Sequence, residues 1–259
     1  MAEGSSRLVV LGSSGAWPGA GHACSGYVLE HQGFRVVLDL GYGTAVRLLD
    51  HLGSHAGDGV DAVVISHAHA DHMGDLHAFF RARHFGAPAA PAIPTYAPQQ
   101  VRDQLWEVQS IDGPDDGAMD RVFTWHQLPS AAYPVGPWRL ESAGLPHYVT
   151  NAGVRLVSDD LVVAYTGDTG PSPALAELGR DADLFVVECT DYTQLAEPKK
   201  EQLHLNARTA AEAARDAGAK RLLLTHFWPG VDRERTAREV AQTYDGEVLV
   251  ASEGMVIAL

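Results

Sequence analysis

The chain has 259 residues, of which 46% are hydrophobic and 20% charged, a balance that excludes a disordered chain and predicts one domain over residues 1–259. Nineteen basic against thirty-three acidic side chains leave a net charge of −14, which argues against a surface that binds a long nucleic acid. The apolar run at residues 8–11 is too short for a signal peptide, and no stretch reaches the roughly 18 apolar residues of a membrane span, so we predict a cytoplasmic protein without a membrane partner.

Short apolar runs that end in Gly, Ser, Thr or Asp predict β-strands, and helical patterns lie between some of them. The predicted strands span residues 8–11, 34–40, 62–66, 154–157, 161–166, 184–188, 222–226 and 248–251. The predicted helices span residues 44–52, 71–85, 99–108, 207–217 and 233–244, and the stretches 88–98 and 112–116, rich in proline or glycine, are predicted loops. Because strands and helices are interleaved, the predicted fold class is α/β.

Four potential metal ligands follow the predicted strand 62–66 within six residues, namely His67, His69, Asp71 and His72. Two histidines at alternate positions can converge on one cation from an extended turn, while Asp71 and His72, at the start of the next helix, can face a second cation. Imidazole and carboxylate oxygen suit Zn²⁺, with Mn²⁺ or Fe²⁺ as alternatives. Four ligand-type residues at this spacing disfavour the alternative of a polar loop with incidental histidines.

The pattern HxHxDH at residues 67–72 resembles the signature of the metallo-β-lactamase superfamily. The resemblance implies a four-layer αββα sandwich that holds two divalent metal ions at one edge of its two sheets. It also implies a further His, Asp and His near strand ends, and the chain carries His147, Asp168 and His226 in that order. The implied ligands are His67, His69 and His147 for the first ion, Asp71, His72 and His226 for the second, and Asp168 as a bridge between both.

The same resemblance implies roles for residues around the metals. A water or hydroxide would complete the bridge and act as the nucleophile, and Asp71 would help to orient it. Asp39, which ends an apolar run, resembles the carboxylate that receives the second N–H of a ligand histidine, although a plain turn carboxylate is an equal alternative. Glu188 and His204 resemble motifs of the tRNase Z and phosphodiesterase branch, where the glutamate orients a histidine that acts as general acid. Without the resemblance, Glu188 would be interpreted as a strand-end carboxylate and His204 as a helix-capping or surface histidine.

Three features narrow the choice of enzyme within this superfamily. Asp168 argues against a β-lactamase, because those enzymes lack the bridging aspartate. His69 argues against the di-iron redox branch, which has a glutamate at that position. Only twenty residues separate His147 from Asp168, which leaves no room for the protruding arm of the tRNA-processing members. Long RNA is therefore not the predicted substrate.

The segments around Asp168, Glu188, His204 and His226 are similar to those of actinobacterial cyclic-nucleotide phosphodiesterases of this fold. The resemblance implies a small-molecule phosphodiester as substrate, with hydrolysis of a 3′,5′-cyclic nucleotide to the 5′-nucleotide, and a homodimer is the assembly common in the family. Two alternatives stay open. One is a lactonase with the same metal centre, and the other is a metal- or nucleotide-binding module without catalysis.

Other residues with chemical potential are placed by the sequence without a firm role. The two cysteines, Cys24 and Cys189, lack the spacing of a metal or redox motif and are predicted to be structural free thiols. Four ring side chains lie near the predicted site loops and could stack on a purine or serve as packing anchors, namely Trp17, His22, Phe227 and Trp228.

Overall fold

The computed structural model describes residues 6–114, 117–190 and 202–259, and that part of the chain contains fourteen β-strands and eight α-helices. The strands are β1 Arg7–Gly12, β2 Gly26–His31, β3 Phe34–Leu40, β4 Ala62–Val64, β5 Ile93–Ala97, β6 Phe123–Gln127, β7 Tyr133–Val135, β8 Trp138–Leu145, β9 Asn151–Val157, β10 Val162–Tyr165, β11 Leu184–Glu188, β12 Arg221–Thr225, β13 Glu247–Val250 and β14 Val256–Ala258. The helices are α1 Thr44–Leu52, α2 Ala70–Met73, α3 Leu76–Gly86, α4 Gln99–Gln109, α5 Ala118–Val122, α6 Ala174–Leu178, α7 Ala207–Ala217 and α8 Arg233–Val240.

The described strands form two mixed sheets of seven strands each, in the orders β14-β1-β2-β3-β4-β5-β6 and β13-β12-β11-β10-β9-β8-β7. Strands β3 to β6 are parallel in the first sheet, and β10 to β13 are parallel in the second. Strand β8 runs in the same direction as β10, because both are antiparallel to β9, which lies between them. The carboxyl ends of these strands therefore lie along one edge of each sheet.

Three apolar clusters separate four layers. One cluster fills the space between the sheets, a second lies between the first sheet and helices that include α1, α3 and α4, and a third lies between the second sheet and helices α6 to α8. Successive residues of one strand belong to different clusters: Leu38 faces the other sheet and Val37 faces the helices, as do Val186 and Val187 in β11. This alternation follows from the two-residue period of a strand. The predicted four-layer αββα sandwich is confirmed.

Several predicted elements agree with the structure residue for residue. Helices 44–52 and 207–217 coincide with α1 and α7, and strands 34–40 and 184–188 coincide with β3 and β11. The capping box explains the sharp start of α7, since the side chain of Asn206 accepts from the Thr209 amide at 3.0 Å and the Thr209 hydroxyl accepts from the Asn206 amide at 2.9 Å. The other predicted strands differ from the observed ones by one to three residues at their ends, and the helix predicted to reach residue 244 ends at Val240.

The loop predicted for residues 88–98 is wrong, because β5 occupies Ile93–Ala97 in the interior of the first sheet. Pro94 within this strand suggested a loop, since proline cannot donate to a ladder. The carbonyl of Tyr96 accepts from the Ile65 amide on the β4 side, so Pro94, two residues earlier, faces the same side. Pairing with β4 begins only at Thr95, so no hydrogen bond between β4 and β5 requires the N–H that Pro94 lacks.

The single helix predicted for residues 71–85 is also wrong, because α2 and α3 are separate. The amide of Asp75 donates to the carbonyl of Leu40 at 2.9 Å instead of the carbonyl of Asp71, and that carbonyl accepts from the Ser25 amide at 3.2 Å. The Asp75 carboxylate accepts from the amide of Ala45 at 2.9 Å, so it satisfies the start of α1. Through Asp75, the break between α2 and α3 connects the start of α3 to the end of β3 and to the start of α1, at the sheet edge that carries the candidate ligands.

The sequence patterns missed strands β2, β6, β7, β8 and β14 and helices α5 and α6, which are short or mix polar and apolar side chains. In the predicted loop 112–116, Asp112 ends a 3₁₀ turn, Ser110–Asp112, and residues 115 and 116 lie outside the described residues. Among the described residues, no helix combines the length and the apolar composition needed to cross a bilayer.

Candidate metal centre

Each candidate ligand stands where a strand ends at the shared edge of the sheets. The turn after β4 carries His67 and His69, and α2, which follows it, carries Asp71 and His72. His147 follows β8, Asp168 follows β10 and His226 follows β12 directly. The parallel direction of these strands brings residues that are up to 159 positions apart in sequence to one place.

One group of ligand atoms comes from His67, His69, His147 and Asp168, and these atoms all lie within 4.8 Å of one another. His69 Nδ1 lies 3.1 Å from His67 Nε2 and 3.1 Å from His147 Nε2. Oδ2 of Asp168 lies 3.8 Å from His67 Nε2 and 3.7 Å from His147 Nε2. These spacings fit a cation with nitrogen and oxygen ligands about 2.0 to 2.2 Å away.

A second group comes from Asp71, His72, Asp168 and His226, again within 4.8 Å of one another. His226 Nε2 lies 3.1 Å from Asp71 Oδ2 and 3.2 Å from Asp168 Oδ2. His72 Nε2 lies 3.1 Å from Asp168 Oδ1 and 3.6 Å from Asp71 Oδ2. Asp168 belongs to both groups, so one carboxylate stands between two positions that could each hold a cation.

Asp39 supports the candidate metal centre through hydrogen bonds of its carboxylate. Its carboxylate accepts from the amide and hydroxyl of Ser66 at 2.7 and 2.8 Å and from the hydroxyl of Tyr165 at 2.6 Å. The same carboxylate lies 2.7 Å from His72 Nδ1, so this ring nitrogen donates and His72 Nε2 keeps its lone pair. The Ser66 hydroxyl, whose hydrogen goes to Asp39, lies 3.0 Å from His67 Nδ1 and can accept from it.

Two further ligand rings are held through Nδ1 in the same way. His147 Nδ1 lies 3.1 Å from the carbonyl of Leu203, which can only accept. His226 Nδ1 lies 2.8 Å from the Thr190 hydroxyl, which donates its own hydrogen to Glu188 at 2.8 Å and so accepts from the ring. In both rings the lone pair of Nε2 faces the carboxylate of Asp168, as a metal-binding site requires.

Unsatisfied buried atoms show that the centre fits a cation. Within the described residues, His72 Nε2 and Asp168 Oδ1 are buried without a hydrogen-bond partner, although they face each other at 3.1 Å. Two electron-pair donors in contact in a buried site are unfavourable unless a positive charge lies between them. Burial lowers the pKa of His72, but the carboxylates of Asp168 and Asp71 outweigh it and raise this pKa well above its usual value, which expresses the same demand for positive charge.

The protonation of the remaining groups agrees with ligation. Burial lowers the pKa of His67 well below its usual value and lowers the pKa of His147 to about 4, so both rings are neutral and can donate lone pairs. Burial also lowers the pKa of His69. Burial alone would raise the pKa of Asp168, but His226 and His72 hold it well below its usual value, so the carboxylate is ionised.

Glu188 and His204 form a buried pair beside the two groups. His204 Nδ1 lies 3.0 Å from Glu188 Oε1 and 3.8 Å from Asp168 Oδ2. The amide of Thr169 donates to Glu188 Oε1 at 2.7 Å and fixes the carboxylate. Burial lowers the pKa of His204, but the charge and hydrogen bond of Glu188 outweigh this and raise the pKa to about 9. A histidine whose pKa is raised by a buried carboxylate therefore stands next to the candidate metal centre.

Two of the residues at the centre have strained backbones. Asp39 and His226 have φ angles of 57° and 59°, in the left-handed region that residues with a Cβ rarely adopt. Each such residue costs about 1 to 3 kcal/mol and persists only where the surroundings hold it. The strained backbone of Asp39 directs its carboxylate at His72 Nδ1, and that of His226 directs its imidazole at the carboxylates of Asp71 and Asp168.

The structure brings all nine sequence-predicted site residues together: His67, His69, Asp71, His72, His147, Asp168 and His226 in the two groups, and Glu188 and His204 beside them. Several contributors were missed by the sequence analysis. The amide of Ala16 donates to Asp71 Oδ2 at 2.6 Å, and no pattern in the sequence indicates it. Ser66 and Thr190, which bond to Asp39 and His226, stand one and two positions from predicted residues, so adjacency was the available signal.

The ring side chains predicted as possible stacking partners differ in their exposure and in their contacts. Phe227 is fully buried under the guanidinium of Arg233, which lies 4.8 Å from the ring centroid, so stacking on a substrate base is excluded and Phe227 is a packing anchor. Trp17 is 46% exposed and packs against Trp228 with 5.5 Å between the ring centroids. His22 is bonded through Nδ1 to Glu253 at 2.8 Å.

Comparison with protein families gives a match over residues 34–227 to the family described as the beta-lactamase superfamily domain. The chain is 32% identical over 253 residues to an uncharacterised protein of Mycobacterium leprae, and the match covers 96% of this chain and 87% of the other. It is 29% identical over 302 residues to a ribonuclease Z of Thermobifida fusca, with 98% of this chain and 94% of the other covered.

A third relative is the probable metallo-hydrolase YhfI of Bacillus subtilis. The chain is 26% identical to it over 258 residues, which cover 96% of this chain and 98% of the other. The crystal structure of that protein superposes with a TM-score of 0.85 at 24% identity and covers 98% of this chain and 100% of the other. The likeness extends over both sheets and therefore includes every strand end that carries a candidate ligand.

Proposed function

Because this chain belongs to the metallo-β-lactamase superfamily and is a metal-dependent hydrolase, we propose that it binds two divalent ions and hydrolyses a small phosphodiester, a 3′,5′-cyclic nucleotide, to the 5′-nucleotide. The observation that carries the proposal is the buried pair of Glu188 and His204 at 3.0 Å, next to the carboxylate of Asp168 that joins the two ligand groups. An alkoxide is a poor leaving group, so hydrolysis of a phosphodiester gains most from a positioned acid.

The proposed ligands are His67, His69 and His147 for one ion, Asp71, His72 and His226 for the other, and Asp168 for both, with Zn²⁺ as the proposed metal and Mn²⁺ or Fe²⁺ as alternatives. When bound, the ions supply Lewis acidity, which activates water and offsets the charge that develops on the phosphoryl group. Asp71, fixed by the amide of Ala16 and by His226, is proposed to orient the attacking water.

The acid step belongs to His204. Its Nδ1 hydrogen is directed at Glu188, so the proton for the substrate is proposed to come from Nε2. The oxygen of a water molecule bonds to phosphorus as one water proton passes to solvent, the bond between phosphorus and the sugar 3′ oxygen breaks, and the departing oxygen takes the proton from Nε2. Glu188 stabilises the imidazolium before this transfer, and the raised pKa of His204, about 9, keeps the proton available at neutral pH. The imidazole is then reprotonated from solvent.

Two observations support a small substrate. Residues 148–167 are all described, and they contain only β9, β10 and short connecting turns, so the described residues form no arm between His147 and Asp168. The net charge of −14 opposes binding of a long polyanion. The relative named ribonuclease Z makes a transfer RNA precursor the informative counter-substrate.

A panel of substrates tests the proposal. Protein loaded with Zn²⁺ or Mn²⁺ is given cyclic AMP, an acyl-homoserine lactone or a precursor tRNA, with chelator-treated protein as control. We expect release of 5′-AMP that the chelator abolishes, with little action on the other two substrates. Opening of the lactone without release of 5′-AMP would favour the lactonase alternative, and cleavage of the precursor tRNA alone would overturn the small substrate.

A further inference from the structure

Large apolar side chains that stay exposed are few in the described part of the chain, and Tyr148 is 62% exposed at the rim of the candidate metal centre. Its ring centroid lies 5.2 Å from that of His147, 6.2 Å from that of His204 and 6.5 Å from that of His69. A ring that borders three imidazoles of the site and still exposes most of its surface offers an apolar face to whatever binds there.

The segment that carries this ring is tied to neighbouring segments by two hydrogen bonds, one from the backbone and one from a side chain. The amide of Gly170 donates to the carbonyl of Pro146 at 2.8 Å, and His147 Nδ1 donates to the carbonyl of Leu203 at 3.1 Å. The backbone next to Tyr148 is therefore tied to the loop after β10 and to the residue before His204. A ring on a tethered loop loses little conformational freedom when a ligand stacks on it.

We propose that Tyr148 is the stacking platform for the nucleobase of the substrate, and this inference rests on the proposed function. The 3′ oxygen that leaves phosphorus takes its proton from His204, and this oxygen belongs to the sugar that carries the base. The Tyr148 ring, 6.2 Å from the His204 ring, is on the side of the centre where that sugar must lie. Every base presents a π-face, so Tyr148 selects substrates that carry an aromatic base over those that do not, with weak discrimination between bases.

Trp17 does not take this role, although it is also exposed near the centre. Its neighbour Ala16 donates to Asp71, which places Trp17 beside the ligand group of Asp71, and no ring contact joins Trp17 to His204 among those of the described residues. One side of the Trp17 ring is already packed against Trp228. Tyr148 is the exposed ring that borders the general-acid pair.

The test compares Tyr148→Phe, which keeps the ring, with Tyr148→Leu, which keeps an apolar side chain without a π-face. Phe85→Leu is the matched control, because Phe85 is 64% exposed on the outer helix α3 and contacts Arg81 there. For each metal-loaded protein, kcat/KM is measured for cyclic AMP and for the abasic 3′,5′-cyclic ribose phosphate. The binding of 5′-AMP and of ribose 5-phosphate is measured by calorimetry.

We expect Tyr148→Leu to reduce the preference for cyclic AMP over the abasic compound by about 5- to 100-fold, mainly through KM, and to reduce the preference for 5′-AMP over ribose 5-phosphate similarly. Tyr148→Phe and Phe85→Leu should retain both preferences. If the unaltered protein does not hydrolyse cyclic AMP but Tyr148→Leu still loses the preference for 5′-AMP, the proposed function fails and the base platform stands. Equal preferences in Tyr148→Leu and the unaltered protein would overturn the platform.

Discussion

Asp39 occupies a strained left-handed conformation at the end of a buried strand, and its carboxylate bonds to Ser66, Tyr165 and His72. The sequence left two readings of this residue open, a turn carboxylate and a partner of a ligand histidine. The contact of 2.7 Å with His72 Nδ1 favours the second, because it fixes the tautomer that leaves Nε2 for a metal ion.

We expect Asp39→Asn to weaken metal binding by about 10- to 100-fold, because the ring of His72 loses a charged acceptor. Competition with a chelator of known affinity measures the change. Asp160→Asn is the control, since Asp160 is 69% exposed and lies away from the ligand groups, and it should bind metal as the unaltered protein does. Equal affinities in the two variants would show that Asp39 does not support the centre.

His204→Ala should slow hydrolysis of cyclic AMP by about 10²- to 10⁴-fold, because the departing alkoxide loses its proton donor. Hydrolysis of bis(p-nitrophenyl) phosphate should fall by less than about tenfold, because nitrophenolate leaves without a proton. Steady-state kinetics on both substrates separate the two effects, and Glu188→Gln should show the same selectivity. An equal loss on both substrates would contradict an acid role and indicate damage to the metal centre.

At the residue scale, the sequence predicted those site residues that are closely spaced or that follow an apolar run. The ligands at residues 67–72 are adjacent and follow one strand, and Asp168 and His226 also follow apolar runs. The Ala16 amide was out of reach, because its contact with Asp71 depends on how a loop folds over the sheet edge. Burial of Phe227 was likewise a tertiary effect, since Arg233 covers its ring from α8.

At the scale of elements, Glu30 on β2 links three strands and a helix. It pairs across the sheet with Arg7 of β1 and Arg35 of β3 and also bonds to His51 of α1. Burial alone would raise the pKa of Glu30, but hydrogen bonds from Arg7, His51 and Arg35 lower it from 4.5 to about 2. Because the pKa of Glu30 is lower in the folded chain than in the unfolded chain, the ionised carboxylate stabilises the folded protein at pH values above its pKa in the unfolded chain.

We expect Glu30→Gln to reduce the free energy of unfolding by about 1 to 3 kcal/mol near pH 7. The difference from the unaltered protein should shrink as the pH falls from about 4.5 toward 2, because the native carboxylate is then protonated. Urea unfolding at several pH values measures this. Glu177→Gln removes an ion pair with Arg180 that is 75% exposed at the carboxylate and should change stability by less than about 0.5 kcal/mol. A difference that does not depend on pH would contradict the assignment.

The bounds of a helix could be predicted where the sequence pattern and the hydrogen bonds within the segment indicate the same residues. Helix α7 has a capping box, a regular apolar face and a terminal Gly218, and its bounds were predicted fully. The break between α2 and α3 depends instead on the bond from the Asp75 amide to Leu40, and β5 depends on neighbours that accept a strand containing Pro94. Contacts of this kind are made between segments far apart in sequence, so a single-sequence pattern does not contain them.

For the whole molecule, the interleaved strands and helices predicted the α/β class, and the family resemblance of the HxHxDH pattern implied the four layers. The order of the strands within each sheet could not be predicted from the sequence, because packing between distant segments determines which strands are neighbours. That order aligns the carboxyl ends of β3, β4, β8, β10, β11 and β12, and so brings the candidate ligands of both sheets together. The homodimer and the cytoplasmic location stay predictions.

A metal titration shows whether the proposed phosphodiesterase centre works with two metal ions. Chelator-stripped protein is titrated with Zn²⁺ or Mn²⁺ while bound metal and the release of 5′-AMP from cyclic AMP are followed together, with Asp168→Ala in parallel. We predict that activity reaches its maximum at two ions per chain and that Asp168→Ala loses activity together with tight binding of the ions. Activity that persists without metal, or a chain loaded with two ions that leaves cyclic AMP intact, would contradict the account.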